Sequence, residues 1–137
     1  MTTHSSLRRA APALGFGFAM AFGSSVGQTF FISLFAGEIR NDLDISHGHF
    51  GALYTAATLA SAVALLWLGK LADSFDLSLI GALALVGLSS SAMLMAGAGS
   101  FFVLCLALFG LRLFGQGLLS HVAITAMGRW HSTDRGK

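Results

Sequence analysis

Four long, predominantly apolar runs dominate this sequence: Ala13–Ala36, Phe50–Leu68, Leu77–Ala98 and Phe101–Met127. As helices rising about 1.5 Å per residue they extend roughly 28–40 Å, which matches a hydrocarbon core about 30 Å thick. A backbone amide facing lipid without a partner costs several kcal/mol, so a run of this kind crosses as a continuous helix. A closed β-barrel is excluded, because the runs are too long and apolar residues do not alternate along them. The expected fold is all-α: a polytopic bundle of four transmembrane helices over 13–127, with a tail over 1–12 and a further segment over 128–137.

Composition agrees. Hydrophobic residues make up 55% of the chain and charged residues 10%, against roughly 25% charged in an ordinary soluble domain. A soluble domain of this size leaves a large share of its surface in water and could not hide so much apolar area. The bilayer is therefore the expected partner. The formal charge of +2 is small and scattered, which argues against nucleic acid. Cys105 is the single cysteine, so an intrachain disulfide is impossible. Arg8 and Arg9 ahead of an apolar run have the outline of a signal peptide. However, the 24 residues of Ala13–Ala36 exceed a signal h-region and suffice to span a bilayer, so a retained helix is expected.

Basic residues set the expected orientation. With the N-terminus in the cytoplasm, Arg8, Arg9, Lys70, Arg129, Arg135 and Lys137 are inside and only Arg40 is outside. The outer loop carries Glu38, Asp42 and Asp44. This asymmetry obeys the positive-inside rule, and Tyr54, Trp67 and Trp130 fall near helix ends, where amphipathic rings favour the interface. Both termini are expected in the cytoplasm of a multi-pass protein of the inner or plasma membrane.

Small residues recur every fourth position: Gly15, Ala19, Gly23 and Gly27 in the first helix, and Ala52, Ala56, Ala60 and Ala64 in the second. Such stripes let helix backbones approach closely in lipid, so they are expected at packing faces. Ser46 is expected to cap the second helix, and Gly99–Ser100 to form a tight outer hairpin.

Two stretches carry a family resemblance. Ile45-Ser46-His47-Gly48-His49-Phe50-Gly51-Ala52-Leu53-Tyr54, followed by Gly69-Lys70-Leu71-Ala72-Asp73, resembles the Major Facilitator Superfamily. There a Ser-containing turn opens helix two and a G-x-L-A-D loop follows it. The family loop continues with basic residues and a second glycine, whereas this chain has Ser74-Phe75-Asp76-Leu77-Ser78. Gly69 permits a tight turn, and Asp73 can accept hydrogen bonds at a helix N-terminus. In helix four, Arg112-Leu113-Phe114-Gly115-Gln116-Gly117 is similar to the family's Arg-and-Gly motif. The resemblance implies secondary transport of a small solute, a cytoplasmic latch at Gly69, Leu71, Ala72 and Asp73, and eight further helices beyond these four. The segment over 128–137 would lead into a fifth, and the remaining helices of the transporter would be partners.

Arg112 stands out among the polar residues. An arginine at the bilayer centre costs about 2.5–3.5 kcal/mol on insertion scales, so it should face a wet cavity or a partner. Three roles remain open: binding an anionic substrate or coupling to protons, pairing with an acid elsewhere, or a shifted helix register. Gln116 lies one turn beyond on almost the same face. His121, nine residues on, falls about 180° away on an ideal α-helix of 3.6 residues per turn. Gln28 lies near the middle of helix one. Since facilitator helices one and four line a central cavity, the resemblance makes Gln28 a substrate contact, while a buried inter-helix hydrogen bond explains it equally. Arg112, Gln116 and Gln28 are thus the expected solute-binding set, and a small organic anion is the class an arginine favours.

No enzyme is expected. There is no nucleophile with a base at working spacing and no phosphate loop. Gly15-x-Gly17 follows no strand, and His47-x-His49 supplies too few ligands for a metal. No cofactor is expected. The competing reading is a stand-alone four-helix membrane protein, either a dimeric small multidrug exporter or an assembly subunit. The exporter needs an acid within helix one, and the nearest, Glu38, falls at its outer end.

Overall fold

A computed structural model describes residues 3–134, with side chains described over 11–70 and 74–129. Helices follow one another as α1 (Thr3–Ser24), a 3-10 turn (Ser25–Gly27), α2 (Thr29–Asp42), α3 (His47–Ser74), α4 (Leu77–Ala96), α5 (Phe101–Gly110), a π-helical stretch (Leu111–Leu119) and α6 (Ser120–Asp134). No strand occurs among the described residues. They form four spans long and apolar enough to cross a membrane: Ala11–Asp42, His47–Lys70, Leu77–Ala96 and Phe101–Arg129.

The fourth span is the axis of the bundle. Of its most apolar stretch 56% is buried within the protein, against 17–22% for the other three. Leu104, Leu108, Leu119 and Val122, all from this span, are fully buried, and Ile32, Leu53, Ala57, Ala84 and Leu88 converge on them from α2, α3 and α4. Large apolar side chains such as Phe18, Leu34, Trp67, Val86 and Phe102 point outward. A hydrocarbon surround accepts these faces as readily as a protein core does, so a span needs only one packed face.

Short polar side chains define the connections. Ser46 caps α3, its Oγ accepting from the His49 amide at 3.2 Å. Asp76 caps α4, one carboxylate oxygen accepting from the amides of Ser78 (2.8 Å) and Leu79 (3.2 Å). Ser100 caps α5 through the Val103 amide at 3.3 Å. Asp44 takes a left-handed conformation (φ 50°) at the close of α2, which its short polar side chain tolerates.

Several expectations need correction. The first span is two helices rather than one, and its helical structure runs on to Asp42. Glu38, Arg40 and Asp42 therefore ride on the last turns of α2, and the connection between α2 and α3 shrinks to 43–46. The expected tail and closing segment largely continue the outer helices: Pro12 lies inside α1, and α6 extends to Asp134. Apolarity marks where a helix meets lipid, and the helix itself continues into the headgroup region.

The small-residue stripes are only half right. Gly23 and Gly27 pack against the fourth span, but Gly15 and Ala19 are exposed and a Cβ on Gly15 would meet nothing. A four-residue repeat drifts by about 40° per step around an α-helix, so a straight partner cannot follow it for three steps. The packed face of α1 instead runs through Gly17, which lies under Met127, then Met20 and Ser24. In α3, Ala52, Ala56 and Ala60 are exposed, and the buried set is Leu53, Ala57 and Ser61, one residue on.

Candidate functional site

The first span breaks near its middle. After Ser24 the chain tightens into the 3-10 turn, Gln28 becomes extended (φ −79°, ψ 153°), and α2 restarts at Thr29. Broken backbone at membrane depth persists only where protein or a wet cavity satisfies the freed groups. Here the fourth span does so. Gly27 and Gly115 stand so close that a Cβ on either would lie 2.6–2.7 Å from the other's Cα. That approach brings the freed Gly27 carbonyl within 3.3 Å of Arg112 Nη1.

Arg112 is 7% exposed. Its Nε donates to Thr58 Oγ1 at 3.1 Å, and Nη1 donates to Gly27 O and, at 3.4 Å, to Thr29 Oγ1. The guanidinium carbon lies 5.2 Å from the centroid of the Tyr54 ring, a cation–π contact. Thr29 Oγ1 and Tyr54 Oη are 2.8 Å apart, one donating to the other. Every partner is neutral. No acidic side chain pairs with Arg112 among the described residues, and no hydrogen bond of its third nitrogen, Nη2, is found among them.

Arg112 reaches the Gly27 carbonyl with its side chain, and Gln116 meets the crossing with its backbone, whose nitrogen would lie 2.7 Å from a Cβ on Gly27. Gln116 Oε1 is buried with no hydrogen-bond partner among the described residues. Gln28 forms the junction itself: its backbone amide bonds Ser25 O, and its side chain does not cap α2. Its neighbours Gly27 and Thr29 touch Arg112 in its place.

Sequence reasoning passed over Thr29, Tyr54 and Thr58. A usable signal was present for two of them, because Tyr54 and Thr58 are one turn apart on α3 and share a face. His121 is also displaced from its expected place. Its Nε2 would lie 3.9 Å from a Cβ on Gly69, so it faces α3 as Arg112 does. The residues between them are π-helical, and i→i+5 bonding fits more residues into each turn than the α-helical count assumes.

Of the loop motif, Gly69 sits beside His121, while the side chains of Leu71, Ala72 and Asp73 lie outside the described residues. Asp73 belongs to the last turn of α3, and the helix-capping carboxylate belongs to Asp76. No group of three His, Cys, Asp or Glu side chains converges among the described residues.

The fold and site together fit an integral membrane protein with four spans, the first broken beside a buried arginine whose partners are all neutral. Comparison with protein-family models, curated proteins and solved structures finds no match.

Proposed function

We propose that this chain forms helices one to four of a secondary transporter of the Major Facilitator type, moving a small solute by alternating access. Arg112 is its substrate-binding cation. One observation carries the reading: a buried arginine held at mid-span by the Gly27 carbonyl, Thr29, Thr58 and the Tyr54 ring, with no acidic partner among the described residues. An uncompensated charge in low dielectric is costly, and an arriving anion supplies the missing counter-charge. Discontinuous helices at the bilayer midplane are the usual setting for solute sites in such transporters. The preferred solute is a small organic anion. Lys70 and Arg129 lie toward the cytoplasm with both termini, in the inner or plasma membrane, as the charge asymmetry favours.

Uptake of small carboxylates by the full-length transporter, with Arg112→Ala beside the unaltered protein, tests this. Uptake should fall at least tenfold at unchanged membrane expression. Near-normal uptake overturns the assignment.

A further inference from the structure

We infer that Tyr54 and Thr29 form a door over Arg112, and that it admits anions the size of a short-chain carboxylate. The inference rests on the anion-binding role of Arg112 and adds to it a route and a size limit.

A cavity of about 150 Å³ opens between α2 and α3, lined by Thr29, Ile32, Ser33, Ala36, Phe50, Gly51 and Tyr54. Thr29, Ser33 and Tyr54 are its hydroxyl-bearing lining residues, and the rest of the lining is apolar. Arg112 does not line it, yet touches two of these, through Thr29 Oγ1 and the Tyr54 ring. The 2.8 Å bond between Thr29 Oγ1 and Tyr54 Oη joins the two residues that both line the cavity and touch Arg112. Thr29 is the first residue of α2, directly after the extended Gln28, so it sits at the break in the span.

The exchange is favourable in hydrogen-bond terms. Closed, the pair share one bond between neutral hydroxyls. An entering carboxylate breaks it and accepts from both hydroxyls, and such charge-assisted bonds are roughly twice as strong as neutral ones. It also meets the guanidinium, which lacks an acidic partner among the described residues. The cavity holds the volume of about five waters and lies well below the range of roughly 300–1,000 Å³ typical of drug-sized ligands. That favours carboxylates of a few carbons.

Tyr54 is the only tyrosine among these 137 residues, so ring-labelled ¹³C-tyrosine in a protein of this sequence reports from the door itself. The 137-residue protein in lipid nanodiscs is titrated with acetate, with chloride at equal ionic strength as control, and binding is measured in parallel by calorimetry. Acetate should shift the Tyr54 signal saturably, with the calorimetric midpoint, and chloride should not. Thr29→Val should weaken acetate binding about tenfold. Tyr54→Phe, which keeps the ring and removes the hydroxyl, should speed acetate release at least tenfold, and Arg112→Gln should abolish binding. Acetate bound by calorimetry with an unmoved Tyr54 signal overturns the door and leaves the anion site standing. A shift that chloride reproduces, or that Thr29→Val leaves unchanged, also overturns the door. No binding by either readout overturns the door and the anion site together.

Discussion

Gly27 and Gly115 meet backbone to backbone where the first and fourth spans cross. A Cβ on Gly27 would stand 2.7 Å from Gly115 Cα and would also run into the Leu111 carbonyl oxygen. The obstacles are main-chain atoms, which cannot swing aside as side-chain ends do. Alanine at either position should therefore destabilise the bundle by about 1–3 kcal/mol, the usual cost of forced overpacking. It should also weaken anion binding, since Arg112 reaches Gly27 O only across this contact. Unfolding in mixed detergent micelles measures the first effect. Unchanged stability in both variants would contradict the crossing.

Gly15 provides the contrast, because a Cβ there would meet nothing within 4 Å. Replacing a mid-helix glycine by alanine at an open position removes backbone entropy from the unfolded chain. Gly15→Ala should thus leave stability unchanged or raise it by up to about 1 kcal/mol. A clear loss in the same assay would place Gly15 at a packed face after all.

Thr58 anchors the Nε edge of the guanidinium at 3.1 Å. Thr58→Val preserves shape and strips the acceptor, leaving a buried cationic donor without its partner. The expected loss is about 1–3 kcal/mol, and Thr58→Ser should recover most of it. If valine and serine behave alike, the hydrogen bond contributes nothing.

Asp76 makes stability depend on acid. The amides of Leu79 and Ser78 hold its carboxyl below the ordinary carboxylate range. Because the folded pKa is depressed, the cap's contribution is fully present above the unfolded value and is lost as pH falls through the folded one. Asparagine caps comparably without titrating. The stability difference between Asp76→Ala and the unaltered protein should therefore shrink as pH falls below about 4, while the difference between Asp76→Asn and Asp76→Ala stays constant. Thermal unfolding from pH 6 to pH 3 checks both. A wild-type difference that does not change with pH would rule out the depressed carboxyl.

Much of the architecture is legible one residue at a time. Four apolar runs become four spans, and Ser46 becomes a cap, because the rules involved act within a single helix turn or a single stretch of lipid thickness. The errors arise where one element answers to another. The alanine stripe of α3 faces outward although its composition is right for packing, since which face is buried depends on where the neighbour stands. His121 moves to the Arg112 side because a π-helical stretch intervenes, and nothing in Leu111–Leu119 beyond its two glycines hints at that.

The sequence by itself determined that this chain is helical, has four segments long and apolar enough to cross a membrane, and carries an arginine at the middle of the fourth. Hydrocarbon forces each segment to satisfy its own backbone, so spans can be counted from local composition. Only the tertiary structure decided what the arginine touches. Its partners Gly27, Thr29 and Thr58 lie 85, 83 and 54 residues away in sequence. The first span breaks where it does because Gly115 lets the fourth span come close enough for Arg112 to bond the freed carbonyl. That compensation exists only once the two helices cross.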